Sequence, residues 1–130
     1  MPVADPVAAG EEAAEPSPDD AKLVTLARSA RLRAAAAEGA AVRDHMGRTY
    51  VAATVSLASL RLSALQAAVA AAVSSGAGQV AAAVVVSDAD SLAPVDLAVL
   101  DELGVERAML VRPDGSGHRW VPAAAAAEGS

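Results

Sequence analysis

The sequence predicts an α/β protein, a three-layer α/β/α sandwich built on a mixed sheet. Three observations carry this. Helix-like and strand-like segments alternate along the chain, and such alternation implies parallel pairing through right-handed crossovers. Val80–Val86 is an unbroken apolar run, the pattern of a strand covered on both faces. The 130 residues are 54% hydrophobic, enough for one domain with a core. Phe is absent and aromatics reach only 2%, so that core must be Ala, Val and Leu.

Residues 1–16 are Pro, Ala, Gly and acid, a composition that predicts a disordered tail, and Ala123–Ser130 predicts a second. Residues 17–122 form the domain. Ser17-Pro18-Asp19-Asp20 reads as a helix start: Ser17 caps, Pro18 suits the first helical position, and the two acids favour the positive end of the dipole. The helix should run to about Glu38, with Gly39 past its end. Leu23, Leu26, Ala27, Ala30 and Ala34 line one face at helical spacing.

Ala40–Arg43 and Thr49–Ser56 are short strands, and Asp44-His45-Met46-Gly47 turns the chain between them into a hairpin. A second helix covers roughly Ser59–Ser75, with Leu62, Leu65, Val69 and Val73 inward and Gly76 at its end. The strand Val80–Val86 follows. A third helix starts near Pro94 and ends at Gly104, then comes a strand over Glu106–Arg112. Pro113-Asp114-Gly115 turns the chain, and His118–Val121 is short and extended. No internal repeat is visible.

The net charge of −6 sits at one end. Asp5, Glu11, Glu12, Glu15, Asp19 and Asp20 precede the first basic residue, Lys22, and residues 21–130 hold ten acids and ten bases. No basic face argues for nucleic acid and no polybasic run for a membrane surface. Arg28, Arg31 and Arg33 on the first helix read as a solvated face. The absence of Cys excludes disulfides and thiolate metal sites. Met1–Asp5 lacks the basic and apolar regions of a signal peptide, and the apolar stretch Val69–Val86 is interrupted by Ser74–Gln79, so it reads as helix, turn and strand. The expected compartment is the cytoplasm.

Four segments, in order, resemble the small oligomeric cytidine deaminases. Lys22–Ala30 is similar to that family's first helix, and Gly39-Ala40-Ala41-Val42 with Gly47-Arg48-Thr49-Tyr50 to its hairpin. Leu62–Gly76 resembles its catalytic helix, ending Ala72-Val73-Ser74-Ser75-Gly76. Val84–Val86 with Leu100-Asp101-Glu102-Leu103-Gly104 resembles the strand and helix that follow, and Trp120-Val121-Pro122 stands where the family often has Leu-Leu-Pro. The resemblance covers roughly residues 20–122 and implies the family's fold and a homo-oligomer.

The departures fall on the chemistry. The resemblance implies a zinc held by one Cys of the second helix and two at the start of the third, with a Glu as general acid and base. Ser63 stands at the first Cys, and a serine hydroxyl stays protonated near neutral pH. Leu65 stands at the Glu and cannot carry a proton. The third helix reads Ala93-Pro94-Val95-Asp96-Leu97-Ala98 and supplies a thiol in no register. The sugar-contact motif falls near Thr54-Val55-Ser56, without its carboxylate. Thr54, Ser56 and Asp96 are therefore pocket remnants, while Ser63 and Leu65 are degenerate catalytic positions.

His45, His118, Asp88, Asp90 and Asp96 are the remaining metal candidates, and neither histidine has a second ligand at metal spacing. Ser87-Asp88-Ala89-Asp90-Ser91 reads as a loop ending in a helix cap. Ser63 has no local base to make it a nucleophile. Asp114-Gly115-Ser116-Gly117 is a turn and not a phosphate loop, since no helix pattern follows it. The expectation is a non-catalytic cytidine deaminase-like protein with no metal or cofactor, acting as a scaffold or interaction subunit. A nucleoside-binding module and a hydrolase with a rebuilt site remain as alternatives.

Overall fold

The computed structural model describes residues 16–121. Apart from Pro16, the tails expected at 1–16 and 123–130 fall outside the described residues. The elements are α1 (Pro18–Ala34), β1 (Gly39–Asp44), β2 (Thr49–Ala53), β3 (Val55–Ser56), β4 (Arg61–Leu62), α2 (Ala64–Ser74), β5 (Val80–Val86), α3 (Pro94–Leu103), β6 (Arg107–Val111) and β7 (Arg119–Trp120). Five strands form a mixed sheet in the order β2-β1-β5-β6-β7, and β3 pairs with β4 in a separate ribbon.

Alternation along the three central strands sorts their side chains into two cores. On one face Ala40 and Val42, Ala83 and Val85, and Ala108 and Leu110 meet Ala64, Leu65, Ala68 and Ala72 of α2 and Leu100 of α3. On the other, Ala41, Val84, Val86, Met109 and Val111 meet Leu23, Val24 and Ala27 of α1. This is the expected three-layer sandwich. With so many alanines inside, the few large side chains matter most, because a fully buried Leu, Val or Met contributes about 1.5–3 kcal/mol. Leu23, Leu65 and Met109 are the largest of these.

Parallel pairing is narrower than the alternation implied. Among the described residues only β5 and β6, joined through α3, run parallel. β1 is antiparallel to both β2 and β5, because the hairpin reverses the chain before the first crossover.

α1 stops four residues earlier than expected. Ser17 Oγ accepts the Asp20 N–H at 3.1 Å, as its sequence suggested. At the other end Ala35 takes a left-handed conformation (φ 52°), and Ala36 N–H closes onto Arg31 O at 3.0 Å. Gly39 is not the cap. It begins β1, where a Cβ would lie 2.1 Å from Ala27 O, so only glycine lets the strand pass this close to α1. The strand expected over Thr49–Ser56 breaks at Thr54, whose N–H and Oγ1 both turn to Glu38.

Two charged groups also differ from expectation. Asp20 is 2% exposed and points inward, paired with Arg107 and with Arg43 at 3.7 Å. Arg28 is not simply solvated: its Nε donates to Pro113 O at 3.0 Å and ties α1 to the turn before β7. No helix among the described residues is long and apolar enough to cross a membrane.

Candidate functional site

The first turns of α2 and α3 meet at one corner. α2 was expected to begin near Ser59, but Arg61–Leu62 form β4 of the β3–β4 ribbon and the helix starts at Ala64. Ser63 is its N-cap. Ser63 Oγ accepts the Gln66 N–H at 3.0 Å, and Gln66 Oε1 accepts the Ser63 N–H at 2.9 Å. Ser63-Ala64-Leu65-Gln66 is thus a capping box, a local signal that would have placed the helix start correctly. The inner face also differs from the expected one. Ala64, Leu65, Ala68 and Ala72 are buried, while Val73, expected inward, is 54% exposed.

α3 has no such cap. Its N-cap is Ala93, with no side-chain hydrogen bond, so the expected capping loop at Ser87–Ser91 does not cap it. Ser87 Oγ instead accepts the Ala89 N–H, and Asp90 pairs with Arg112 at 3.2 Å. Asp96, in the first turn of α3, is 1% exposed. Ser63 Oγ donates its proton to Asp96 Oδ1 at 2.5 Å. Burial pushes the Asp96 carboxyl above its ordinary value, the Ser63 hydroxyl partly opposes this, and the charge of Glu38 adds to the rise.

The structure therefore brings two of the sequence-selected residues, Ser63 and Asp96, into contact. Thr54 reaches the same neighbourhood through Glu38: its Oγ1 accepts the Glu38 N–H at 3.0 Å and donates to Glu38 O at 3.3 Å. Its polar capacity goes into holding the open ends of β1 and β2 together. Ser56 is exposed on the β3–β4 ribbon, paired in register with Arg61. Leu65 is fully buried among Ala40, Val42 and Val85. Glu38, which the helical pattern places at the end of α1, lies instead in the loop before β1.

The other metal candidates are scattered. His45 is exposed at the hairpin turn and His118 precedes β7. Among the described residues no three His, Cys, Asp or Glu side chains are grouped to hold a metal ion.

The sequence profile of the cytidine deaminase-like family matches residues 16–117. The chain belongs to this family. No protein of curated function matches it. Among solved structures, the cytidine deaminase of Burkholderia pseudomallei is similar at 26% identity and a TM-score of 0.65, over 79% of this chain and 91% of that one. The cytidine deaminase of Mycobacterium tuberculosis is 28% identical, with a TM-score of 0.60 over 80% and 91%. That of Mycobacterium leprae, at 22% identity and a TM-score of 0.57 over 75% and 91%, shares the fold.

The zinc that the cytidine deaminase-like fold implies does not fit the residues at this corner. Zinc takes thiolate, imidazole or carboxylate donors. Ser63 offers a neutral hydroxyl whose proton is held by Asp96 and one of whose lone pairs is held by Gln66 N–H. Asp96 is one carboxylate, the chain has no thiol, and among the described residues no group of three donor side chains completes a set. No catalytic step through a metal follows from such a donor set.

Proposed function

We propose that this cytidine deaminase-like chain does not catalyse zinc-dependent deamination and works as a scaffold or interaction subunit in the cytoplasm. The observation that carries the first half is the Ser63–Asp96 hydrogen bond, at the place where the family resemblance puts thiolate ligands. Leu65 supports it: an apolar side chain with 0% exposure stands where proton relay would need a carboxylate. Fold alone does not carry function, and the donor set decides the chemistry.

Self-association is part of the same reading. α2 contains no charged residue, and Ala70, Ala71, Val73 and Ser74 on its outer side are exposed. A solvent-facing helix normally carries charge on that side. A second copy of the chain packed on it supplies the missing cover.

The test combines three measurements on the purified protein. Elemental analysis after dialysis is expected to find no stoichiometric zinc. Incubation with cytidine is expected to release no uridine, and Ser63→Cys combined with Leu65→Glu should not restore it, because α3 still lacks its thiols. Light scattering should give a dimer or a larger assembly. Chelator-sensitive uridine formation by the unaltered protein overturns the non-catalytic reading, and a monomer at all accessible concentrations overturns self-association.

A further inference from the structure

α2 and α3 are short helices of 11 and 10 residues whose first turns lie side by side. Helices this short are marginal by themselves and depend on tertiary contacts. α2 has a complete capping box, whereas α3 has an alanine at its cap and no side-chain acceptor there. One bond joins the two starts across 33 residues of chain, from Ser63 Oγ to Asp96 Oδ1. Ser63 Oγ accepts the Gln66 N–H and donates its single proton to Asp96 Oδ1. The acceptor is 1% exposed, where water cannot substitute for the hydroxyl.

We infer that the Ser63–Asp96 hydrogen bond is a metal-free tie that locks the first turns of α2 and α3 together, standing where the family's relatives are implied to use a metal. It rests on the reading of this corner as lacking zinc. The tie makes Ser63 serve two helices. One lone pair caps α2 and its proton anchors α3. Loss of Ser63 leaves the buried Asp96 carboxyl without this partner, whereas loss of Asp96 leaves the half-buried Ser63 hydroxyl with Gln66 alone, and loss of both removes the fault together with the bond.

A thermodynamic cycle on the full chain tests this. Ser63→Ala should lower Tm by about 5–15 °C, the scale of one orphaned buried polar group in a domain of this size, and Asp96→Ala should lower it by less, because the half-buried Ser63 hydroxyl can turn to water. The double variant should fall no further than the worse single, because the two changes share one interaction. Two conservative variants guard against simple misfolding. Ser63→Thr keeps the hydroxyl and should melt close to the parent, and Asp96→Asn keeps the Oδ1 acceptor and should melt no lower than the parent. Additive losses in the double variant overturn the tie, as does an Asp96→Asn protein as unstable as Asp96→Ala. The parent Tm should not change on adding EDTA. A chelator-induced fall accompanied by released zinc refutes the metal-free reading itself, while additive losses in a zinc-free protein refute only the tie.

Discussion

Arg107 lies with its guanidinium carbon 4.7 Å from the centroid of the Trp120 ring, while its Nη2 pairs with Asp20. This arrangement joins α1, β6 and the edge strand β7 through one side chain. The stack is a cation–π contact, and it shields one face of an otherwise exposed cation. Asp20 also faces Arg43, whose Nη1 is buried without a partner among the described residues.

Asp20→Ala should destabilise the protein by about 2–3 kcal/mol. Removing one partner of a fully buried pair costs about 3–5 kcal/mol. The loss here is smaller, because the Arg107 side chain is 51% exposed and can rehydrate, whereas Arg43 at 19% cannot do so freely. The urea midpoint of the variant checks this, and an unchanged midpoint shows that the carboxylate is not needed.

Gly39→Ala should be worse than its small size suggests. The added carbon would lie 2.1 Å from Ala27 O and 3.0 Å from Arg31 Cβ, so β1 or α1 has to shift. β1 lies between β2 and β5, and the shift would propagate into both cores. The expected cost is about 3 kcal/mol or more, at the upper end of overpacking. Thermal melting of the purified variant is the check, and a parental Tm would mean that the helix and strand separate easily.

Asp44 should give the stability curve an acid limb. Burial pushes its carboxyl up, but the Arg48 N–H, the Tyr50 hydroxyl and the Met46 N–H more than offset this and hold it below its ordinary value. A carboxyl lowered in the folded state contributes stability above its unfolded value, 3.8, and that contribution is lost as pH falls through the folded value. Asp44→Asn should flatten this limb below about pH 3.8 and speed amide exchange at Met46 and Arg48. An identical acid limb in the variant would assign it to other carboxyls.

Asp96 should act with the opposite sign. Its carboxyl is raised by burial, so the folded chain holds a proton that the unfolded chain has already released. Stability then falls as pH rises from 3.8 through the folded value, and the loss persists above it. Asp96→Asn abolishes this slope and keeps an acceptor for Ser63. The difference in urea midpoint between parent and variant should therefore grow in the variant's favour as pH rises through that window. A difference independent of pH would show that Asp96 ionises without penalty.

Elements whose signals are local could be read from the amino-acid order alone. Val80–Val86 announced a doubly covered strand by its unbroken apolar run, and Pro94 and Gly104 bracketed α3 as they do in the structure. The lack of any thiol was also plain, and with it the mismatch between family resemblance and metal chemistry. Only the tertiary structure decided where polar side chains spend their bonds. Thr54 breaks a strand because Glu38, 16 residues earlier, accepts and donates to it. Asp20 looked like an acid at a helix start and proved to be a buried partner of Arg107, 87 residues away. Ser63 was legible as a cap through Gln66, but its partner Asp96 was not, since 33 residues separate them. The physical reason is one of range. Periodicity and capping report contacts within a few residues, whereas a hydrogen bond between two helix starts depends on the sheet that carries both to the same corner.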